Sequence, residues 1–243
     1  MERIGRKKTE DTRDRILDAA EDVFNDRGFS GTTLNEIAEA AGVTRGAIYW
    51  HFKNKDDLFE AMCSRVRKPM TDIIEETANI GTEDPLGILS RSHESLMYEV
   101  INNPHYQKIL NILFHKCEFT KDTDQVVIQQ KEWQVRSRNL IQRTLANAQR
   151  KKQLPSDLDI DLADKLMGFV FKGLVSEWLF LPNSFDLVET ARKMHAAIFD
   201  LMKNSPYLKK EGGIYPLLRK NRIDDSIPVK QKVVPVTIRM DFQ

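Results

Sequence analysis

The sequence of 243 residues predicts an all-α protein, and three observations support this fold class. Apolar residues recur at helical spacing along most of the chain, and helix-capping residues stand at the start of most of these segments. The alternation typical of strands does not occur before residue 212. A hydrophobic content of 41% is enough to bury a sizeable core in one or two domains.

The first predicted helix extends from about Thr9 to Arg27, and Gly28 follows it as a C-terminal stop. Its apolar residues fall at positions i, i+3, i+4, i+7 and i+8, which places them on one side of the helix. The residues of this stripe are Ile16, Ala19, Ala20, Val23 and Phe24. We therefore expect this helix to pack against its neighbours along a single face.

Two short helices are predicted next, joined by the sequence AGVT at 41–44. Thr33 opens a capping box, in which its hydroxyl and the Glu36 carboxylate each satisfy a free backbone N–H group. The second helix ends at Gly42, and Thr44 caps the third. Two short helices with a tight glycine-containing turn predict a helix-turn-helix.

The third predicted helix has two faces of different character. Ile48 and Phe52 share one face, and Val43 before the cap forms a hydrophobic staple with Ile48, so this face is expected to pack inward. The other face is expected to point outward and combines cationic, aromatic and small residues. The candidate DNA-contacting residues on or beside it are Thr33, Thr44, Arg45, Gly46, Ala47, Tyr49, Trp50, His51, Lys53 and Lys55.

The chemistry of this outer face fits double-stranded DNA. Arg45 has the planar fork that binds guanine O6 and N7 or clamps a phosphate. Gly46 lets the helix backbone approach the duplex, and Tyr49 offers a ring to thymine methyl groups and a hydroxyl to phosphate. Thr33 and Thr44 stand at helix N-termini, where free N–H groups and the helix dipole favour phosphate.

Lys55 is expected to contact a phosphate, because it lies in the first turn of the fourth helix, where the dipole disfavours a cation. From Val43 to Lys55 the charged residues are all basic. The net charge of the chain is only +1, so a basic footprint must be local. The arm at 3–8, RIGRKK, is expected to add cations without order and to follow the DNA backbone or minor groove.

Asn54 is expected to cap a fourth helix that runs to about residue 80, with Pro69 kinking or interrupting it. Five further helices are predicted over 85–102, 104–118, 124–152, 159–181 and 185–203. From Gly212 the chain is expected to be a flexible or strand-like tail. The predicted units are therefore an arm and helix-turn-helix domain at 1–55, a second helical domain at 56–210, and a tail of unknown role at 211–243.

Several other classes of protein are not expected. The chain begins without the apolar run of a secretory signal, and its most apolar stretch, at 166–181, is short and carries Lys172 and Glu177. Cys63 and Cys117 fit reduced thiols in a cytoplasmic protein. His115 and Cys117 would point about 200° apart on a helix, so no metal site is expected there. No cofactor is predicted, and an enzyme is disfavoured because the sequence has neither a phosphate loop nor a nucleophile elbow.

These residues resemble a known family. TTLNEIAEAAGVTRGAIYWHFKNKDDLF resembles the DNA-binding domain of the TetR family of bacterial regulators, over about residues 9–60. The remainder, to about residue 209, is similar to the AcrR type of multidrug-efflux repressor. The similarity of this second part depends on four short motifs: DPLGIL at 84, NILFHKCEF at 111, LPSDLD at 154 and SFDL at 184.

The resemblance implies a homodimer in which the eighth and ninth helices of each subunit form a four-helix interface. The apolar eighth helix and a stripe on the ninth, formed by Met194, Ala197, Ile198 and Leu201, agree with this expectation. A twofold dimer would place its two recognition helices about 34–36 Å apart on a near-palindromic operator.

The resemblance also implies a ligand cavity between the fourth and eighth helices, for small hydrophobic compounds such as drugs and bile-salt-like or aromatic molecules. The candidate lining residues are Met62, Val66, Met70, Met97, Asn111, Phe114, His115, Gln130, Trp133, Phe169 and Lys172. The apolar members also fit an ordinary core. Arg67 and Lys172, if they point inward, would shift preference toward anionic or neutral ligands. Asn111 and His115, four apart on one apolar helix, would need a partner or water.

Ligand binding would then shift the population of the dimer toward a spacing that releases the operator. Two alternatives keep the same fold and the DNA binding. One is a ligand-independent regulator or nucleoid-associated protein, and the other is an activator in place of a repressor. The operator, the regulated gene and the ligand are not encoded in any recognisable pattern of this sequence.

Overall fold

The computed structural model describes residues 2–79, 81–117 and 125–210, without the side chains of 2–10, 70, 73, 74, 76 and 77. Within these ranges the chain forms nine α-helices and no strand, which confirms the predicted all-α class. The helices are α1 (Glu2–Arg27), α2 (Leu34–Ala40), α3 (Arg45–His51), α4 (Lys55–Thr77), α5 (Pro85–Asn102), α6 (Pro104–Asn111), α7 (Gln125–Arg150), α8 (Ile160–Phe180) and α9 (Leu187–Asn204). The predicted tail at 211–243 lies outside the described residues.

Two helix boundaries and the course of α4 differ from the prediction. The backbone is already helical at Glu2, so the arm at 3–8 is part of α1 and the expected lack of order there is wrong. A π-helical segment (Ile112–Lys116) replaces the last turn expected for α6. The helix α4 continues through Pro69, so the interruption that the sequence offered as one alternative to a kink does not occur. A proline costs a helix one hydrogen bond, and packing of α4 on both sides can offset that loss.

The apolar stripe of α1 is the centre of a hydrophobic cluster that also includes α2 and α3. Ile16 and Phe24 of this stripe are fully buried, and so is Ile37 of α2. Phe24 and Phe59 meet edge to face with ring centroids 5.5 Å apart, which joins α1 to α4. The same cluster continues into α5, α6 and α8, so it crosses the boundary predicted at residue 55.

A second cluster fills the opposite end of the bundle. Leu89 of α5, Leu145 of α7, Ala163 of α8 and Met202 of α9 are all fully buried in it. Two buried histidines lie at the edge of this region, His93 of α5 and His195 of α9, with rings stacked 4.6 Å apart. Four helices therefore share this end of the core.

Arg65 of α4 joins α1 to the body of the bundle. Its guanidinium donates to the carboxylates of Asp18 (2.5 Å) and Glu21 (2.7 Å) of α1, and Glu21 is fully buried. His105 Nδ1 of α6 lies 2.5 Å from the other Glu21 oxygen. Asp18, Glu21 and His105 would otherwise have the spacing of a metal-ligand set. Because the Arg65 cation already lies between the carboxylates, we interpret the group as an ion-pair network.

The outer surface of α8 and α9 is apolar. Phe169 is 74% exposed and Phe180 69% exposed on α8, and Met194 and Leu201 are also exposed on α9. Ile198, which the sequence placed in the α9 stripe, is buried with His195 on the inner face instead. Among the described residues, no helix combines the length and the hydrophobicity needed to cross a bilayer.

Candidate nucleic-acid interface and ligand region

The start of α2 is held by the predicted capping box. The Glu36 N–H donates to Thr33 Oγ1 (3.3 Å), and the Thr33 N–H donates to Glu36 Oε2 (2.8 Å). The Thr33 backbone and side-chain hydrogen bonds are the main reasons why the pKa of Glu36 is lowered. A carboxylate that stays charged keeps this helix end closed and fixes the direction of α2 relative to α1, to which Arg27 also ties it.

The turn between α2 and α3 depends on a left-handed glycine. Gly42 has a φ of +63°, which a side chain would strain, and Arg15 of α1 donates to the neighbouring Ala41 carbonyl at 2.6 Å. Thr44 then caps α3, with its hydroxyl oxygen accepting from the Ala47 N–H at 3.2 Å. The predicted helix-turn-helix is therefore present, and α1 braces its turn.

The two predicted faces of α3 are confirmed. Ile48 is fully buried and Phe52, the cap residue that follows, is 2% exposed. On the opposite side Tyr49 is 48% and Trp50 71% exposed. Two large aromatic side chains at adjacent positions are seldom both exposed on a helix. Their exposure indicates a surface that binds another molecule.

The small and cationic residues of the outer face are also accessible. Arg45 is exposed, with its guanidinium 5.6 Å from the centre of the Tyr49 ring. A Cβ atom added at Gly46 would meet Thr44 Oγ1 at 3.9 Å, so the backbone is open to close approach. Thr33, Thr44 and Lys53 are exposed as well, whereas Ala47 and His51 are half-buried.

His51 forms the edge of the outer face. Its ring meets that of Trp50 edge to face, with centroids 4.7 Å apart. Burial, and then the nearby Arg13 cation, lower the pKa of His51. The imidazole is therefore neutral at physiological pH and can both donate and accept a hydrogen bond.

Lys55 lies in the first turn of α4 as predicted, but its ammonium group has acceptors within the protein. Its ammonium group is half-buried and donates to the carbonyl oxygens of Phe29 (2.7 Å) and Thr32 (2.9 Å), 4.4 Å from the centre of the Phe29 ring. Burial lowers the pKa of Lys55, and Asp56 and Glu36 oppose that shift. These internal acceptors satisfy the cation, so the dipole argument no longer requires a phosphate.

Two arginines of α1 were missed by the sequence prediction. Arg13 lies 5.3 Å from the centre of the Phe52 ring, near His51 at the end of α3, and Arg15 braces the turn. Both come from the sequence TRDR at 12–15, which also fits a solvated helix surface. Their position depends on where α1 crosses α3, and the local spacing of residues does not determine such a crossing.

The apolar candidates of the ligand region lie mainly in the core. Met62 and Val66 of α4 and Met97 of α5 are buried, and Phe114 packs against the same cluster. The side chain of Met70 lies outside the described residues. These positions fit a ligand wall and an ordinary core equally well.

The polar pair expected on α6 is separated by the π-helical segment. The i→i+5 pattern of a π-helix no longer places residues four apart on one face. Asn111 donates to Asn25 Oδ1 on α1 at 2.7 Å, while His115 is exposed and its Nε2 lies 3.4 Å from Ser176 Oγ on α8. The two residues therefore do not share one pocket.

The two α8 candidates face outward. Phe169 is 74% exposed on the apolar outer surface of α8. Lys172 is exposed too, with its ammonium 5.8 Å from the centre of the Phe114 ring. Neither residue lines the interior, so both predictions are wrong. The sequence did not show which side of α8 faces inward, because this helix is apolar nearly all round.

Arg67, Gln130 and Trp133 are brought together between α4 and α7. Arg67 is 5% exposed and donates from Nη1 to Glu60 Oε2 at 2.7 Å and from Nη2 to Gln130 Oε1. Its guanidinium carbon lies 5.1 Å from the centre of the Trp133 ring. Arg67 thus points inward, as the sequence had left open, and Lys172 does not.

Two open grooves lie outside this region. One, of about 1150 Å³, lies between the start of α5, the end of α7 and α9, next to Gln153 and Phe199. The other, of about 640 Å³, runs along α7 beside Val135 and Leu140. None of the predicted ligand residues lines either groove.

A braced helix-turn-helix with an exposed, acid-free recognition helix, followed by a helical bundle, defines a DNA-binding regulator. Comparison with known proteins gives the family. Residues 16–62 match the model for bacterial regulatory proteins of the tetR family, and residues 84–204 match the C-terminal region of MAATS-type transcriptional repressors. The chain belongs to the TetR family.

Similar proteins span nearly the whole described chain. The regulator TtgR of Pseudomonas putida is 37% identical over 210 residues, covering 86% of this chain and 100% of that protein. The structure of NalD, the secondary repressor of the MexAB-OprM multidrug efflux pump in Pseudomonas aeruginosa, gives a TM-score of 0.70 at 29% identity, covering 82% of this chain and 99% of NalD. The SmeT–triclosan complex gives 0.69 at 28% identity, covering 76% of this chain and 90% of SmeT.

Proposed function

We propose that this chain is a cytoplasmic repressor that binds a near-palindromic operator as a homodimer, releases it on binding a small hydrophobic ligand, and controls a multidrug efflux pump. The observation that carries the DNA-binding part is the outer face of α3. Arg45, Tyr49 and Trp50 stand in solvent on a helix whose two ends and turn are fixed. A rigid surface of this kind loses little entropy when it enters the major groove.

Each residue of that face has a role in the proposed complex. Arg45 forms paired hydrogen bonds with a guanine edge, and Gly46 lets the backbone approach the base pairs. Tyr49 contacts a thymine methyl group or a phosphate, and the N-termini of α2 and α3, at Thr33 and Thr44, bind phosphates. Lys53 and Arg13 are exposed cations that contact further phosphates in this complex.

The apolar outer surface of α8 and α9 supports a homodimer. Phe169 and Phe180 are among the most exposed large apolar side chains in the described part of the chain, and Met194 and Leu201 extend the same kind of surface onto α9. A second copy would remove these side chains from water. A twofold axis here would set the spacing of the two recognition helices on DNA.

The same elements that bear the ligand region also hold the helix-turn-helix, which supports coupling between the two. The loop between α1 and α2 accepts a hydrogen bond from Lys55 of α4 at Phe29 O. The Phe29 N–H donates to the Lys116 carbonyl at the end of the π-helical segment (3.3 Å). A ligand that displaces α4 or this segment would therefore shift α1 and α2, and a coupling of about 1–3 kcal/mol would be enough for a switch.

The relatives support the choice of regulated system. NalD is a repressor of a multidrug efflux pump, and one solved structure of SmeT is its complex with triclosan. We propose that this chain represses an efflux pump on the basis of its similarity to these two proteins. A ligand-independent regulator and an activator remain the competing hypotheses.

The test starts from operator sites selected from random DNA and measures binding by fluorescence anisotropy. We expect one near-palindromic sequence, bound by two subunits, and its release by triclosan. Arg91→Ala, an exposed arginine on α5, serves as the matched control for substitutions on α3. Selection of no preferred sequence would contradict the proposal, and sequence-specific binding that no hydrophobic compound weakens would favour the ligand-independent alternative.

A further inference from the structure

Three buried polar atoms on α4 and α7 lack hydrogen-bond partners. They are Arg67 Nε, Gln129 Oε1 and Trp133 Nε1. In the described part of the chain only His93 Nδ1 shares this property, and it lies elsewhere, on α5. Buried polar atoms are nearly always paired in proteins, so three neighbouring exceptions call for a specific cause.

The surroundings of Arg67 leave one of the three guanidinium nitrogens without a hydrogen-bond partner. Nη1 donates to Glu60 at 2.7 Å, Nη2 donates to Gln130, and the plane of the group lies over the Trp133 ring. The Nε–H group is therefore the part of the guanidinium that is available to a ligand. Because Glu60 is about one-third exposed, part of the countercharge of this buried cation is screened by water.

Gln129 and Trp133 are four residues apart on α7, and such residues lie on the same side of a helix, about 6 Å apart along its axis. One offers an acceptor and the other a donor. Arg67 supplies a second donor against the Trp133 ring. Two donors and one acceptor, beside the apolar cluster that contains Met62 and Val66, are complementary to an acid with a separate hydroxyl group.

We propose that Arg67, Gln129 and Trp133 form the polar anchor of the ligand site, and that the anchor binds an aromatic acid with a hydroxyl at a non-adjacent ring position. The carboxylate accepts from Arg67 Nε–H and Trp133 Nε1–H, and the hydroxyl donates to Gln129 Oε1. The aromatic ring enters the apolar cluster. The proposal rests on the proposed function, since it specifies the ligand class of the same regulator.

The anchor explains why the unpaired atoms persist. In the free protein they destabilise the fold, and the ligand supplies all three missing partners. Replacing an unpaired donor by an apolar group of similar shape should therefore stabilise the free protein and weaken ligand binding together. A side chain with a purely structural role would not show these opposite changes.

Trp133→Phe tests the binding role of the indole N–H, because it keeps an aromatic ring over Arg67 and removes the N–H group. The probe is meta-hydroxybenzoate, and its dissociation constant is measured by calorimetry on the full-length dimer without DNA. We expect the variant to bind the probe at least about tenfold more weakly, the effect of losing one charge-assisted hydrogen bond. Equal affinity for both proteins would overturn the anchor.

Two further comparisons separate the parts of the anchor. Benzoate lacks the hydroxyl and meta-hydroxybenzamide lacks the charge, so each should bind to the wild-type protein more weakly than meta-hydroxybenzoate does. In Gln129→Leu, meta-hydroxybenzoate should bind no more tightly than benzoate, while the preference for the acid over the amide should remain. Arg67→Met should abolish the preference for the acid over the amide. Arg138→Met, which breaks an α7 ion pair with Asp164 outside the anchor, should keep that preference.

The outcome also distinguishes this proposal from the proposed function. Release of the operator by triclosan, without any effect of Trp133→Phe or Arg67→Met on the binding of meta-hydroxybenzoate, would overturn the anchor and leave the repressor. The opposite result is that meta-hydroxybenzoate binds through the anchor but neither this probe nor triclosan releases the operator. That result would support the ligand site and overturn the proposed regulation.

Discussion

The outer face of α3 and the interior between α4 and α7 combine the same kinds of side chain in opposite surroundings. On α3, Arg45 and Trp50 stand in water, which satisfies their polar groups until a partner arrives. Between α4 and α7, the buried atoms Arg67 Nε and Trp133 Nε1 have no partner. An exposed site therefore costs the fold little, whereas a buried one lowers stability until it is filled. Substitutions on the outer face of α3 should therefore change DNA binding without changing stability. Substitutions between α4 and α7 should change ligand binding and stability together.

The largest expected effect comes from the inner face of α3. Ile48→Ala removes a fully buried side chain, and we expect unfolding free energy to fall by about 2–5 kcal/mol through lost burial and a residual cavity. Operator binding should fall with it, because the outer face loses its support. Chemical denaturation and anisotropy measure both. An unchanged denaturation midpoint would contradict the inward position of Ile48.

The matching change on the outer face should act on binding alone. Arg45→Ala is expected to reduce the preference for operator over random DNA by about 1–3 kcal/mol, since one bidentate base contact is lost. The melting temperature should stay within about one degree of wild type, since Arg45 is exposed. If the variant selects the operator as well as wild type does, Arg45 does not contact the bases.

Acid should destabilise the core through a buried histidine outside both regions, because a buried imidazole resists protonation. Burial, followed by the neighbouring His195, lowers the pKa of His93 from 6.5 to about 3. Below pH 6.5 the unfolded chain takes up a proton that the folded chain does not, so stability falls as pH decreases toward 3, by up to about 1.4 kcal/mol per pH unit. His93→Phe should flatten this dependence in denaturation curves recorded between pH 7 and pH 4. An equally steep curve would exclude His93 as its cause.

The last comparison concerns two lysines, one just before α4 and one at its first position. Lys53→Ala should weaken binding to all DNA and reduce the slope of log affinity against log salt by about one, if its exposed cation contacts a phosphate. Lys55→Ala should leave that slope unchanged and lower unfolding free energy by about 1–3 kcal/mol, because two carbonyl oxygens lose their donor. A flatter slope for Lys55→Ala would restore the phosphate contact that the sequence predicted.

Most of the helix-turn-helix could be predicted because its signals are local. Thr33 and Glu36 meet within one turn, and the i, i+4 spacing of Ile48 and Phe52 defines a face before any tertiary contact forms. The ligand region was predicted less well. Whether a member of an apolar helix such as Phe169 points inward depends on which neighbour covers it, and short-range spacing does not contain that information.

The sequence by itself determined the all-α class, the capped turn and the two faces of α3, because each depends on residues within about one helical turn of one another. Tertiary structure alone decided that Lys55 turns to the carbonyls of Phe29 and Thr32, that Arg67 faces Trp133, and that α6 ends in a π-helical segment. Those features depend on how distant helices cross. The partner of a polar atom is then set by packing across the chain and not by its neighbours in sequence.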